Sequence, residues 1–346
     1  MLVLDVQGFP GSVGGYAPIE YMSILAARVF GAELVVVRRE RRKPALLAEA
    51  ILAQLGRRPR GSEPCLVVAP WPSDLDEVIK IRDWRSRLGP IVGWVIDSFA
   101  HECGSNATRR LHAYDHVFSS HLEDVDYLRR QSLARTSWLP VGSDVLGLGS
   151  DRSDRPFDIL RVGRQPDEWD DDAVTAESCR RRNLSFHGRF PNGRDVVENQ
   201  RILHDYYSRA KFCMAFCNLA APAPYTHHRR AYLTARWVDA ISSGAVVAGI
   251  RPSEPDTDRL LWPEATLELG TIKREEGLDL LVDAVQDWTP ERAVLNRAMA
   301  LQRLDWRLRF KEIADLLGVD PPILRSELEQ IRRAAGDNVV SPRLAH

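Results

Sequence analysis

The chain has 346 residues, with 47 Lys and Arg against 48 Asp and Glu and a formal net charge of -1. That length suits two domains that each bury a core. The balanced charge excludes a global field that would draw nucleic acid or an anionic membrane. Cys65, Cys103, Cys179, Cys213 and Cys217 are odd in number and form no CxxC pair, which predicts free thiols in a reduced, cytoplasmic protein.

The first elements alternate. LVLDV (Leu2–Val6) reads as a strand and is followed by a loop containing Gly8, Gly11, Gly14 and Gly15. This opening lacks the basic region and long apolar segment of a signal peptide. EYMSILAARVF has helical spacing, ELVVVRR (Glu33–Arg39) is a strand and KPALLAEAILAQL a helix. CLVVAP (Cys65–Pro70) is a strand, DLDEVIKIRDWRSRL an amphipathic helix, and IVGWVID (Ile91–Asp97) and HVFSS (His116–Ser120) are strands. LEDVDYLRRQ is a helix leading to SWLPVGSD. Near-continuous apolar strands between helices predict a parallel sheet covered on both faces.

A polar, glycine-containing stretch between Leu148 and Asp158 predicts a linker. The expected division is a first domain over 1–150, a second over 157–320, and a terminal helix and tail over 321–346. The second alternation runs ILRVG, LSFHG, the helix RILHDYYSRA, FCMAF, the helix YLTARWVDAIS, AVVAGI and a short TLELG. Beyond Gly277, LDLLVDAVQDW, RAVLNRAMALQRLDWRLRFKEIADLLG and ILRSELEQIRRAA are helical. No apolar run approaches bilayer-spanning length.

In open parallel sheets, ligands bind at the carboxyl ends of strands, often against a helix N-terminus. The stretch from FCMAF to SSGAVVAG places a His- and Pro-containing loop at such a point, making it the leading candidate for a ligand site. Asp97 ends a strand and is a candidate general base, or alternatively a cap. His101 is its rival, with Glu102 placed to orient it. Gly8–Gly15 is not GxGxxG, so dinucleotide binding is weakly supported. HExxH, zinc-type Cys/His spacing, EF-hand, GxSxG and GxxxxGK[ST] patterns are absent. Asp170–Asp172 reads as an acidic loop, and no metal or cofactor is expected. Arg180–Arg182 reads as a solvated basic run, with contact to an anionic acceptor or peripheral contact with a membrane as the minor reading.

The order of these elements resembles the GT-B class of glycosyltransferases over roughly residues 1 to 320. HVFSS…YLRRQ…WLPVGSD is similar to that family's closing signature for its first domain, ILRVGRQ to the opening of its second, and RWVDAISSGAVVAG to its R-x-x-E-A-x-A-x-G-x-x-V unit. RLDWRLRFKEIADLL resembles its terminal helix. The nearest subgroup in pattern is bacterial, group 1-like or spore-maturation-like. The resemblance implies two Rossmann-like domains facing across a cleft. It implies metal-independent transfer of a sugar from a nucleotide-sugar donor to a glycan, lipid-linked or small-molecule acceptor.

By the same resemblance the donor is met by Arg161, Arg164, His227, His228, Arg230, Thr234, Arg236, Asp239, Ser243 and Gly244. Gly11, Gly14 and Gly15 belong to the acceptor or cleft loop. Arginine suits a diphosphate through its planar donors, although Arg236 could instead pair with Asp239 one turn on. Asp239 would accept from ribose or sugar hydroxyls, and Ser242–Gly244 is either an amide nest or a plain turn. One departure stands out. The family's donor-site glutamate pair is reduced to Asp239, because no acid lies between Pro224 and Tyr232. The rivals are a nucleotide-sugar epimerase of the same architecture and a non-catalytic nucleotide-sugar-binding protein.

Overall fold

The computed structural model describes residues 1–7, 15–38, 61–102, 113–131 and 134–336. Gly11, Gly14, Cys103 and the KPALLAEAILAQL segment lie outside these residues. The chain divides into two compact units. The first comprises Met1–Pro140 and Arg309–Glu327, the second Val141–Leu308 and a segment beginning at Leu328. The 148–158 stretch lies inside the second.

The first unit carries a six-stranded parallel sheet of β1 (Leu2–Gln7), β2 (Glu33–Arg38), β3 (Glu63–Ala69), β4 (Leu88–Val95), β5 (His116–Ser119) and β6 (Arg135–Trp138), in the order β2-β1-β3-β4-β5-β6. Leu2 pairs with Glu33 on one side and Cys65 on the other. β1 therefore lies inside the sheet, and the connection changes direction there. Leu2, Leu4, Val6, Cys65, Val67 and Leu75 share one core, as expected for strands buried on both faces. Asp5 is the exception within β1: buried, it accepts from Ser23 Oγ (2.9 Å) and Gln7 Nε2 (3.1 Å). Phe310 packs on Phe30 at 5.8 Å between ring centroids, and Arg28 forks onto Glu327.

The second unit carries β7 (Phe157–Arg161), β8 (Phe186–His187), β9 (Ala210–Met214), β10 (Val246–Gly249) and β11 (Thr266–Glu268), all parallel, in the order β11-β10-β9-β7-β8. Phe212, Met214, Val246 and Ile159 form its core with Leu278 and Leu281 of the Arg274–Gln286 helix. Its cysteines 179, 213 and 217 are buried free thiols and pack as small apolar side chains.

Three elements differ from the sequence reading. DLDEVIKIRDWRSRL is a 3-10 stretch, Pro72–Lys80, then a short helix, Trp84–Arg87. Asp83 between them has φ of 55°, which no continuous right-handed helix accommodates. β6 was hidden because RTSW is too short and polar to show a strand pattern. The long late helix is two, Pro290–Arg303 and Trp306–Leu317. Asp305 sits at the break, fully buried, accepting from the amides of Leu146 and Arg307 at 2.8 Å each. Arg307 bridges it to Asp144, at 3.1 and 2.7 Å.

Candidate functional site

In the second unit the chain leaves β7 through Gly163, whose φ of +63° favours glycine. A Cβ there would stand 3.0 Å from Arg236 Nη1. Arg236 lies in the first turn of the Ala235–Ser242 helix. It donates from Nη1 to Arg164 O (3.1 Å), from Nη2 to Phe216 O (3.0 Å) and from Nε to Thr234 Oγ1 (3.3 Å). Arg164 donates Nε to Ala221 O at 2.8 Å, and its guanidinium stands 5.2 Å from the Tyr225 ring centroid. Among the described residues neither arginine has a carboxylate partner. Burial, and then the charge of Arg164, lower Arg236 to about 10. Two neighbouring cations without a counter-charge at a strand's carboxyl end favour an anion. The Thr234 side chain does not cap the helix; its carbonyl accepts from the Trp237 amide at 3.0 Å, and the amides of Ala235 and Arg236 have no partner among the described residues.

The loop before this helix is fastened from inside. Buried Asn218 donates Nδ2 to the carbonyls of His227 (2.6 Å) and Arg230 (2.8 Å) and accepts from Tyr232 N (3.2 Å). His227 Nδ1 accepts from the amides of Arg229 (3.1 Å) and Arg230 (2.8 Å), which places the neutral ring's proton on Nε2. His228 stacks on His227 and is exposed, and Glu254 accepts from Leu233 N. His227 and the Arg230 backbone thus shape the loop, while Tyr225 and His228 face solvent.

The remaining second-unit candidates lie elsewhere. Arg161 is buried and donates to the carboxylates of Asp170 and Asp172. Asp171 caps the Asp172–Arg180 helix, so all three acids of that loop have structural work. Asp239 faces inward, with Oδ1 3.6 Å from His204 Nε2, and its buried Oδ2 has no hydrogen-bond partner among the described residues. It makes no ion pair with Arg236. His204 Nδ1 lies 2.8 Å from Ser243 Oγ.

Ser243 and Gly244 close the helix at the end opposite Thr234. Arg155 gathers carbonyls there: Nη2 donates to Ser243 O (2.7 Å), Nη1 to Ala210 O (2.7 Å) and Tyr207 O (3.2 Å), and Nε to Arg152 O (2.9 Å). Gly244 has φ of +81°, and a Cβ would fall 2.3 Å from Arg155 Nη2. This is a packed turn. Of the basic run, Arg180 pairs with Glu177, Arg181 with Glu275 at 3.8 Å, and Arg182 with Glu275 and Asp279 at 2.8 and 2.7 Å.

In the first unit, side chains from the start of the Ala17–Phe30 helix and from just beyond β3 and β4 converge. Tyr16, at the start of the Ala17–Phe30 helix, donates its hydroxyl to Asp97 Oδ2 and accepts from Trp71 Nε1 at 3.2 Å. Burial raises Asp97 above the usual carboxylate range, while the Tyr16 hydrogen bond and His121 pull it back down. His101 is held differently. Its Nδ1 lies 2.8 Å from Ser98 O, and its ring stacks on Tyr127 at 3.6 Å. His101, Glu102 and Asp124 place ligand-type atoms within 4.8 Å of one another. Ser98 ties two of them together, through its carbonyl at His101 Nδ1 and through Oγ donated to Asp124 Oδ2 at 2.7 Å. Gly15 is exposed, with open space where a Cβ would stand.

The structure therefore brings Arg164, Thr234 and Arg236 together, and Asp97 with Tyr16. It sets Arg161, Ser243 and Gly244 apart. Tyr16, Trp71, Asn218 and Glu254 escaped the sequence reading. Trp71 and Asn218 carry one shared signal, since each is an early polar-tipped side chain after an apolar strand.

No protein-family model and no curated protein matches the sequence. Among solved structures, the chain is similar to Anabaena HepE in complex with UDP. That match has 13% identity and a TM-score of 0.53, over 92% of this chain and 99% of that one. A glycosyltransferase from Rickettsia africae gives 10% identity and a TM-score of 0.45, over 97% and 99%. The lipopolysaccharide outer core galactosyltransferase WaaB gives 13% and 0.46, over 92% and 99%. The fold is GT-B-like: two Rossmann-like α/β domains, each on a parallel sheet. No helix among the described residues is long and apolar enough to cross a membrane.

Proposed function

We propose that the protein is a glycosyltransferase that moves a sugar from a nucleotide-sugar donor to an acceptor hydroxyl, with a bacterial group 1-like pattern in its second domain. The observation that carries the reading is the Arg164–Arg236 pair. Two guanidiniums without carboxylate partners among the described residues sit at the end of β7, beside the uncapped amides of Ala235 and Arg236. This is a charge arrangement for a diphosphate, on a fold shared with a protein whose structure contains UDP.

The chemistry assigned to each unit follows. In the second, the departing diphosphate gains negative charge as its bond to the anomeric carbon breaks. The two arginines stabilise that charge in the role a metal ion takes elsewhere. In the first, Asp97 takes the acceptor's hydroxyl proton as the acceptor oxygen bonds to the anomeric carbon. A base in that position implies inversion. Asp239, buried and turned toward His204, is not assigned a direct contact with ribose or sugar hydroxyls. Tyr225, His228 and Arg230 border the same end of the helix.

The test is calorimetric binding of UDP-, GDP-, dTDP- and CDP-sugars in EDTA, followed by an acceptor screen. Selective binding of one nucleotide, then sugar transfer, is expected. A folded protein that binds none of them refutes the reading. Binding without turnover on any acceptor favours the non-catalytic alternative.

A further inference from the structure

The Asp97 carboxylate is held at one oxygen. Tyr16 donates to Oδ2 and Trp71 Nε1 donates to Tyr16 Oη at 3.2 Å, while no hydrogen bond is made to Oδ1 among the described residues. The three side chains come from the start of the Ala17–Phe30 helix and from just beyond β3 and β4, and Tyr16 and Asp97 are 81 positions apart in sequence. A tyrosine needed only for packing would not require its hydroxyl to be both donor and acceptor in a buried chain.

We propose that Tyr16 is a positioning residue of the transferase. With Trp71 behind it, Tyr16 holds Asp97 by Oδ2 and leaves Oδ1 as the atom that takes the acceptor's proton. The inference rests on the role of Asp97 proposed above. A hydrogen bond donated to a carboxylate stabilises its ionised form and opposes the burial that would keep it protonated. The other titratable or charged groups around this chain are His121 beyond β5, Asp74 in the turn after β3, and His101 on the segment following Asp97. Of these, His121 acts on Asp97 in the same direction as Tyr16, and Asp74 acts on Tyr16. Tyr16 is itself pushed upward by burial and by Asp97, so it remains a proton donor throughout the working range.

The experiment is a carboxyl ¹³C NMR titration of the full chain, with Asp97→Asn used to assign the signal. In Tyr16→Phe the Asp97 midpoint is expected to rise by about one to two pH units, the loss of one hydrogen bond to a charged group. Trp71→Phe is expected to move it the same way by less, because it weakens the phenol as a donor. Should Tyr16→Phe fail to fold, Trp71→Phe carries the test. A midpoint unmoved in the folded variants overturns the hold of Tyr16 on Asp97 and leaves the base assignment standing. Once a donor is known, the acidic limb of kcat against pH should move by the same amount in Tyr16→Phe. Turnover indifferent to Asp97→Asn overturns the base assignment, and this role with it, even if the titration moves.

Discussion

Arg164→Ala isolates the proposed diphosphate contact better than any change at Arg236. All three nitrogen groups of Arg236 are already engaged with Arg164 O, Phe216 O and Thr234 Oγ1. Its removal would orphan two carbonyls and confuse binding with folding. Among the described residues Arg164 hydrogen-bonds through Nε alone, to Ala221 O, which leaves its two terminal nitrogens for a ligand. A charge-assisted contact of this kind contributes about 1.5–3 kcal/mol, so Arg164→Ala should weaken nucleotide-diphosphate binding about 10- to 150-fold. Arg164→Lys should fall between, since it keeps the charge and loses the fork. Stability should hardly change. The lost bond to Ala221 O costs about 1 kcal/mol, and relief of repulsion against Arg236 offsets part of it. Calorimetric titration with UDP or the selected nucleotide, paired with urea unfolding of the free protein, measures both. Equal affinity in wild-type and a folded Arg164→Ala variant would refute the argument from uncompensated charge.

Asp97→Asn should lower turnover about 10²- to 10⁴-fold with donor affinity unchanged, as steady-state kinetics and calorimetry would show. Gly244→Ala should cost about 3–4 kcal/mol in urea unfolding, from its left-handed φ and from a Cβ 2.3 Å from Arg155 Nη2. Arg307→Met removes the guanidinium that lies between the buried carboxylates of Asp144 and Asp305 and should cost about 3–5 kcal/mol by the same measurement. Asp5 is raised to about 6, chiefly by burial and against its bonds to Ser23 and Gln7. The folded state therefore holds this proton more tightly than the unfolded chain. Stability should fall as pH rises from about 4 through 6, by about 3 kcal/mol at most. Asp5→Asn should flatten that slope in urea unfolding measured between pH 4 and 8.

The sheets were legible because their signal is local. Leu2–Val6 and His116–Ser120 were read within one residue of β1 and β5, and AVVAGI and TLELG contain β10 and β11. Breaks dictated by tertiary contacts were not. The helix ends at Asp305 because that carboxylate is needed by amides 146 and 307, and the first of these lies 159 residues away. Arg164, Arg236 and Asp97 were named from the sequence by residue type and position, since strand ends in such sheets gather ligand groups. Sequence could not separate Arg236, which lacks a carboxylate, from Arg161, which has two. It also suggested an Arg236–Asp239 pair one turn apart, where the carboxylate in fact turns toward His204.

The helix from Ala235 to Ser242 is tethered at one end and open at the other. Arg155 locks the Ser243 carbonyl to those of Tyr207 and Ala210 on the neighbouring helix and strand, whereas the amides of Ala235 and Arg236 at the other end have no partner among the described residues. Hydrogen exchange along these eight residues should therefore be graded. Deuterium should enter the first turn within the time of local fraying and reach the last turn only when the unit opens as a whole. A bound diphosphate would erase the gradient from the fast end. The protection pattern of this one helix could then report occupancy of the site, without a label and without turnover.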